Sequence, residues 1–167
     1  LAKLLDITRL QDDETEQSFA HWLQSLADIQ SAAYCVYPQF LAALQQWPQR
    51  KSGMALATVV NFPSGDLAAD QVCEQILQAK LQGATEIDCV LPYKALLRGE
   101  HGLVKSFLYD IRQACANSCL KVIIESGAGV GANFSDKDYS EQGAQISFSK
   151  KDSILPASIA DFRYNSI

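Results

Sequence analysis

Glu86-Ile87-Asp88-Cys89-Val90-Leu91-Pro92-Tyr93 places a carboxylate within an otherwise apolar run. Ile87 to Leu91 is a continuous apolar run, broken only by Asp88 and closed by Pro92. Such a run, without polar alternation, marks a strand buried on both faces, as in a parallel sheet covered by helices. An acid inside it is costly unless it is paired. The next apolar run, Leu120-Lys121-Val122-Ile123-Ile124, carries one lysine in a comparable place. A polar barrel interior in which Asp88 and Lys121 neutralise each other explains both. A structural ion pair with no catalytic duty explains them equally on composition alone.

Working outward, similar runs recur at Leu4 to Thr8, Ala32 to Tyr37 and Met54 to Phe62, and more weakly at Gln145 to Ser149. Helical spacing separates them. Asp12 to Thr15 offers N-caps for a helix through Phe19, Trp22, Leu23, Leu26 and Ile29. Phe40, Leu41, Leu44 and Trp47 predict a short second helix, and Leu67 to Leu81 a longer one that stops at Gln82-Gly83. Leu103 to Ala116 predicts another, and Leu155 to Tyr164 a short last one with Pro156 in its first turn. Repeating β-α units mean an α/β fold, either a TIM-type barrel or an open doubly wound sheet. A full barrel takes about 250 residues, with roughly 200 a lower bound. The 167 residues here hold about five or six units by that measure. The expectation is one domain over residues 1–167, a TIM (β/α)8-type barrel that is incomplete.

Hydrophobic residues make up 48% and charged residues 20%, with a net charge of −5. That balance is ordinary for a globular domain. With no basic block, it argues against nucleic acid or an anionic membrane as the main partner. A small phosphorylated substrate needs only a few local donors. No apolar run approaches the ~18 residues of a membrane span, and Leu1 to Asp6 does not read as a signal peptide. The five cysteines are odd in number and contain no CxxC pair. They are expected to be reduced thiols of a cytoplasmic protein, not a disulfide frame or zinc site.

In parallel α/β folds, polar residues at the C-terminal ends of strands face the active site. That position nominates Asp6, Thr8, Cys35, Tyr37, Asn61, Asp88, Lys121 and Glu125. For Cys35 the plainer alternative is a small buried hydrophobe.

Five segments then resemble one family in its own order and spacing. Leu5-Asp6-Ile7-Thr8, Ala33 to Pro38, Thr58 to Gly65, Glu86 to Gly99 and Leu120 to Gly127 are similar to the first five strands of deoxyribose-phosphate aldolases. The resemblance implies a class I aldolase in a (β/α)8 barrel. Such enzymes split 2-deoxyribose 5-phosphate into acetaldehyde and glyceraldehyde 3-phosphate through a lysine Schiff base, with no metal or organic cofactor. By motif position Asp88 matches the proton-relay aspartate, Lys121 a lysine of the same interior, and Asp6 and Cys35 residues beside the substrate. Thr8, Asn61 and Glu125 complete the expected substrate-binding set.

After Gly127 the family pattern lapses. The family's next strand ends Lys-Thr-Ser-Thr-Gly, and its lysine forms the imine. Here Lys150 and Lys151 are the nearest candidates, followed by Asp152-Ser153-Ile154. Two adjacent lysines also suit a solvated turn. No match follows for the second catalytic lysine or the phosphate site. An inactive, truncated or diverged homologue, with room for a homodimer, is therefore the alternative. A third reading takes Gly127 to Ala132 as GxGxxA after a strand, with Asp152 as the acid of a dinucleotide site.

Overall fold

Six strands hydrogen-bond in sequence order, β1-β2-β3-β4-β5-β6, and every adjacent pair is parallel. Sequential parallel order is the wall of a TIM-type barrel; a doubly wound sheet would reverse its order at a switch point. The computed structural model describes residues 5–125 and the backbone of residues 145–147. Its elements are β1 (Asp6–Arg9), α1 (Glu16–Ser25), β2 (Ala33–Val36), a 3-10 turn (Pro38–Phe40) leading into α2 (Leu41–Gln46), β3 (Ala55–Val60), α3 (Ala69–Leu81), β4 (Glu86–Val90), α4 (Tyr93–Leu97), α5 (His101–Cys115), β5 (Cys119–Ile123) and β6 (Gln145–Ser147). Among the described residues the wall is an open arc.

Strand periodicity sorts the side chains onto two faces. Tyr34, Val36, Leu56, Ile87, Leu120 and Val122 point outward and pack with Phe19, Leu41, Ile76, Val104 and Ile111 of the helices in one core. Each such side chain, fully buried, contributes roughly 1.5–3 kcal/mol. Aromatic contacts seat α1 on β2 and the turn after it: Trp22 meets Tyr34 edge-on at 6.1 Å, and Phe19 stacks on Phe40 of the 3-10 turn at 4.5 Å. The inner face carries Ala33, Cys35, Ala57 and Val59 as a separate small cluster. Small residues there let the sheet curve inward and leave room for longer polar side chains.

Local chemistry sets the element ends. Thr15 caps α1: its Oγ1 accepts from the Ser18 N–H at 3.1 Å, while Ser18 Oγ accepts from the Thr15 N–H at 3.0 Å. The helix stops at Ser25 instead of running to Ile29. The Leu26 N–H bonds Leu23 O at 3.1 Å in a tight last turn, which keeps Leu26 buried and turns Ile29 out to 41% exposure. α3 ends as its sequence predicts, with Gly83 at φ +96 just past the cap. The short α4 after Pro92 was not foreseen, because five residues are too few to show a period. The helix expected over Leu155 to Tyr164 lies outside the described residues.

Gly65 turns the chain from β3 toward α3 at φ +68, and its N–H bonds Asn61 O at 2.9 Å. A Cβ there would collide with the Leu91 carbonyl oxygen and press on Val90 Cγ1 at 3.1 Å. Gly99 shares the left-handed conformation, at φ +76, but faces open space. Gly99→Ala should therefore cost only the ~1–2 kcal/mol of the left-handed backbone. Gly65→Ala should cost at least ~1 kcal/mol more through the added clash. Urea denaturation of both variants checks the order, and equal losses would show that the β3–β4 approach is not tight.

Candidate active site

The inner face gathers charge that the outer face excludes. In parallel register Asp88 pairs with Lys121 and, on its other side, with Val59. Lys121 Nζ donates to Asp6 Oδ2 at 2.6 Å, and lies 2.9 Å from Asp88 Oδ1 and 3.3 Å from Glu86 Oε2. The approach to Asp88 Oδ1 is a charge contact, without the alignment of a hydrogen bond. On its other oxygen Asp88 accepts from the Cys35 thiol at 3.5 Å. Strands β1, β2, β4 and β5 thus each send a polar side chain to one point. Lys121 keeps only 8% of its side-chain surface exposed, and the three acids 16–17%.

Burial sets the protonation of this cluster. It pulls the Lys121 ammonium toward neutrality, but the charges of Asp88 and Asp6, with the hydrogen bond to Asp6, more than reverse this, and Lys121 ends well above its ordinary range. Asp88 also moves up, because burial penalises its charge and Asp6 adds repulsion, against the opposing pull of Lys121 and Cys35. The two partners shift the same way for different reasons: burial dominates at Asp88, and the neighbouring carboxylates dominate at Lys121. Cys35 is pushed well up by burial and then by the Asp88 charge, so it is a neutral thiol donor.

Other nominated residues lie elsewhere on the arc. Thr8 is on the Asp6 side of β1 and exposed. Asn61 and Glu125 occupy the C-terminal ends of β3 and β5, buried and at positive φ of 55 and 47. The Asn61 amide joins neighbouring backbone: Nδ2 donates to Val90 O at 2.8 Å and Oδ1 accepts from the Leu67 N–H at 2.9 Å. Tyr37 Oη donates to Asp12 Oδ1 at 2.7 Å on the rim, where burial and Asp12 push its phenol up to about 12. Asp6, Cys35, Asp88 and Lys121 sit inside the strands, so the charged cluster lies deeper than the strand-end rule predicted. Glu86 was missed by that rule, although its spacing two residues before Asp88 on the same strand could have found it. Lys150, Lys151, Gly127 to Ala132 and Asp152 lie outside the described residues. Among the described residues no cluster of His, Cys, Asp or Glu is set to hold a metal, and no helix is long and apolar enough to cross a membrane.

A parallel barrel wall with a buried lysine and acids on its inner face is the architecture of TIM-barrel aldolases, and known proteins agree. The DeoC/LacD family aldolase profile matches residues 1–158, and this chain belongs to that family. Over 127 residues it is 39% identical to the deoxyribose-phosphate aldolase of Agrobacterium fabrum, a match covering 74% of this chain and 49% of that protein. The chain thus spans about half the length of that curated relative. The fold superposes on a protein from Coccidioides immitis assigned as a deoxyribose-phosphate aldolase, with TM-score 0.79 and 22% identity over 94% of this chain and 63% of the other. It also matches the tetrameric deoxyribose phosphate aldolase of Aeropyrum pernix, with TM-score 0.71 and 21% identity over 89% of this chain and 64% of the other.

Lys121→Met removes a buried cation from among three partly buried acids. It should destabilise the protein by about 3–5 kcal/mol at neutral pH. The raised pKa of Lys121 means its contribution is complete below the ordinary lysine value and is lost only as pH climbs through the higher folded value, so the natural chain keeps it throughout the acidic range. In the variant Asp88, already raised by burial and now without the opposing pull of Lys121, takes up a proton and relieves the repulsion, so the deficit should shrink between pH 7 and pH 5. Urea denaturation at both values tests this, and a pH-independent deficit would mean that the acids do not repel one another there.

Proposed function

We propose that this chain is built for class I aldolase chemistry on 2-deoxyribose 5-phosphate, yielding acetaldehyde and glyceraldehyde 3-phosphate. The observation that carries it is the Asp6–Lys121–Asp88–Cys35 constellation inside an aldolase-family barrel wall. A lysine amine condenses with the C1 carbonyl and releases water. The imine then draws the C2–C3 bonding pair into an enamine as the C3 hydroxyl gives up its proton. Asp88, held above the ordinary carboxylate range, is suited to take such a proton and return it to C2. Lys121 supplies a fixed positive charge beside it. Water then releases acetaldehyde and restores the amine.

In this reading Lys150 or Lys151 is the imine-forming amine, while Asp6, Thr8 and Cys35 line the space around the sugar. Asn61 and Glu125 shape the mouth. No organic cofactor or metal is called for. A reducing cytoplasmic setting fits the five free thiols, and self-association as a homodimer belongs to the same reading.

A second reading, an inactive or diverged family member, rests on a specific observation. The described part of β6 is Gln145-Ile146-Ser147, and the residue in register with Lys121 is Gln145. No lysine occupies that stretch. Incubation with acetaldehyde or 2-deoxyribose 5-phosphate and borohydride, followed by intact mass and peptide mapping, separates the two. Aldolase chemistry predicts one covalent adduct on Lys150 or Lys151, abolished in the matching Lys→Met variant. No adduct under conditions that trap the Agrobacterium fabrum enzyme would leave the inactive reading standing.

A further inference from the structure

Glu86 belongs to none of the roles above, yet its Oε2 stands 3.3 Å from Lys121 Nζ. We infer that Glu86 is a positioning residue for Lys121: with Asp6 and Asp88 it fixes the ammonium within the arc as a permanent charge and withholds it from nucleophilic duty. The inference rests on the aldolase reading for its purpose, but not for its geometry.

The argument begins with the strands. Glu86 and Asp88 lie two apart on β4, so both face inward. Register sets Asp88 beside Lys121 and Glu86 beside Cys119, two residues nearer the strand starts. Asp6 approaches from β1, at the far side of the arc. Nζ therefore meets carboxylates from two strands, one from β1 and two from β4. Two carboxylates already form close contacts at 2.6 and 2.9 Å. A third acid in this interior would be expelled if it had no cation to meet. Its side chain is 16% exposed and turned toward Lys121.

The charged and titratable groups facing Lys121 are Asp6 from β1, Cys35 from β2, and Glu86 and Asp88 from β4. β3 contributes the apolar Ala57 and Val59 to this face, and β6 places Gln145 in register with Lys121. A nucleophilic amine must lose its proton to attack a carbonyl. Three acids against one ammonium oppose that loss. Lys121 is thereby an electrostatic partner of Asp88, and the imine falls to a different lysine.

Trace reductive methylation with formaldehyde and cyanoborohydride, read by peptide mass spectrometry across pH, tests this on the whole chain. The exposed Lys105 serves as internal standard. Lys121 should react at least about tenfold more slowly than Lys105, a factor equal to one unit of amine pKa. Glu86→Gln should speed Lys121 severalfold, and Glu86→Asp, which restores the charge, should reverse most of that gain. Unchanged labelling in a folded Glu86→Gln variant would overturn the inference. Should that variant not fold, nitrogen-15 NMR of the natural chain decides: a slowly exchanging Lys121 ammonium signal at neutral pH supports the role, and its absence refutes it. Neither measurement involves turnover, so both stand if the protein proves inactive. An aldehyde trapped by borohydride on Lys121 itself would sink the positioning role while leaving aldolase chemistry intact.

Discussion

The contact between Lys121 and Asp6 ties the two ends of a curved five-strand run together. The residues are 115 positions apart, and four strand pairings separate β1 from β5. Only a sheet that bends back on itself brings them within 2.6 Å. The bend depends on the small inner residues Ala33, Cys35, Ala57 and Val59, and it is held from outside by the helical core. Among the described residues the ammonium at the focus is also the positive charge that makes three interior acids tolerable. Curvature, packing and charge are therefore one constraint seen from three sides.

That constraint explains how a costly arrangement can suit proton transfer. Burial of a charge is unfavourable, and a shared ammonium compensates each acid only in part. Asp88 absorbs the shortfall as a rise in its proton affinity, which brings a carboxyl closer to the range in which it can both take and give a proton. Cys35 adds a neutral hydrogen-bond donor and no nucleophile.

The site was partly legible from single residues. Asp88 and Lys121 stood out because a charge inside an apolar run demands an explanation, and the structure supplies it in their paired register. Asp6 and Cys35 were found through strand position, though they sit within the arc and not at its rim. Asn61 was nominated on the same rule, but its amide ties the ends of β3 and β4 to the following loop. The chain shows that a polar residue ends a strand; it does not show whether backbone groups will claim it. Glu86 escaped because it opens its strand beside Thr85, where an acid looks like ordinary boundary polarity.

Continuous apolar strands and amphipathic helices in alternation are enough to read parallel α/β layers from the chain alone, and the five family-like segments in order point to the barrel form of them. The sequence also named Asp6, Asp88 and Lys121 as charges carried into that interior, and left out Glu86. Tertiary structure alone decided that one lysine serves three acids, that the helix of Phe19 ends at Ser25, and that Asn61 is held by main chain. Those outcomes turn on distances between strands far apart in the chain, set by curvature and side-chain volume. A periodicity read along one strand contains neither.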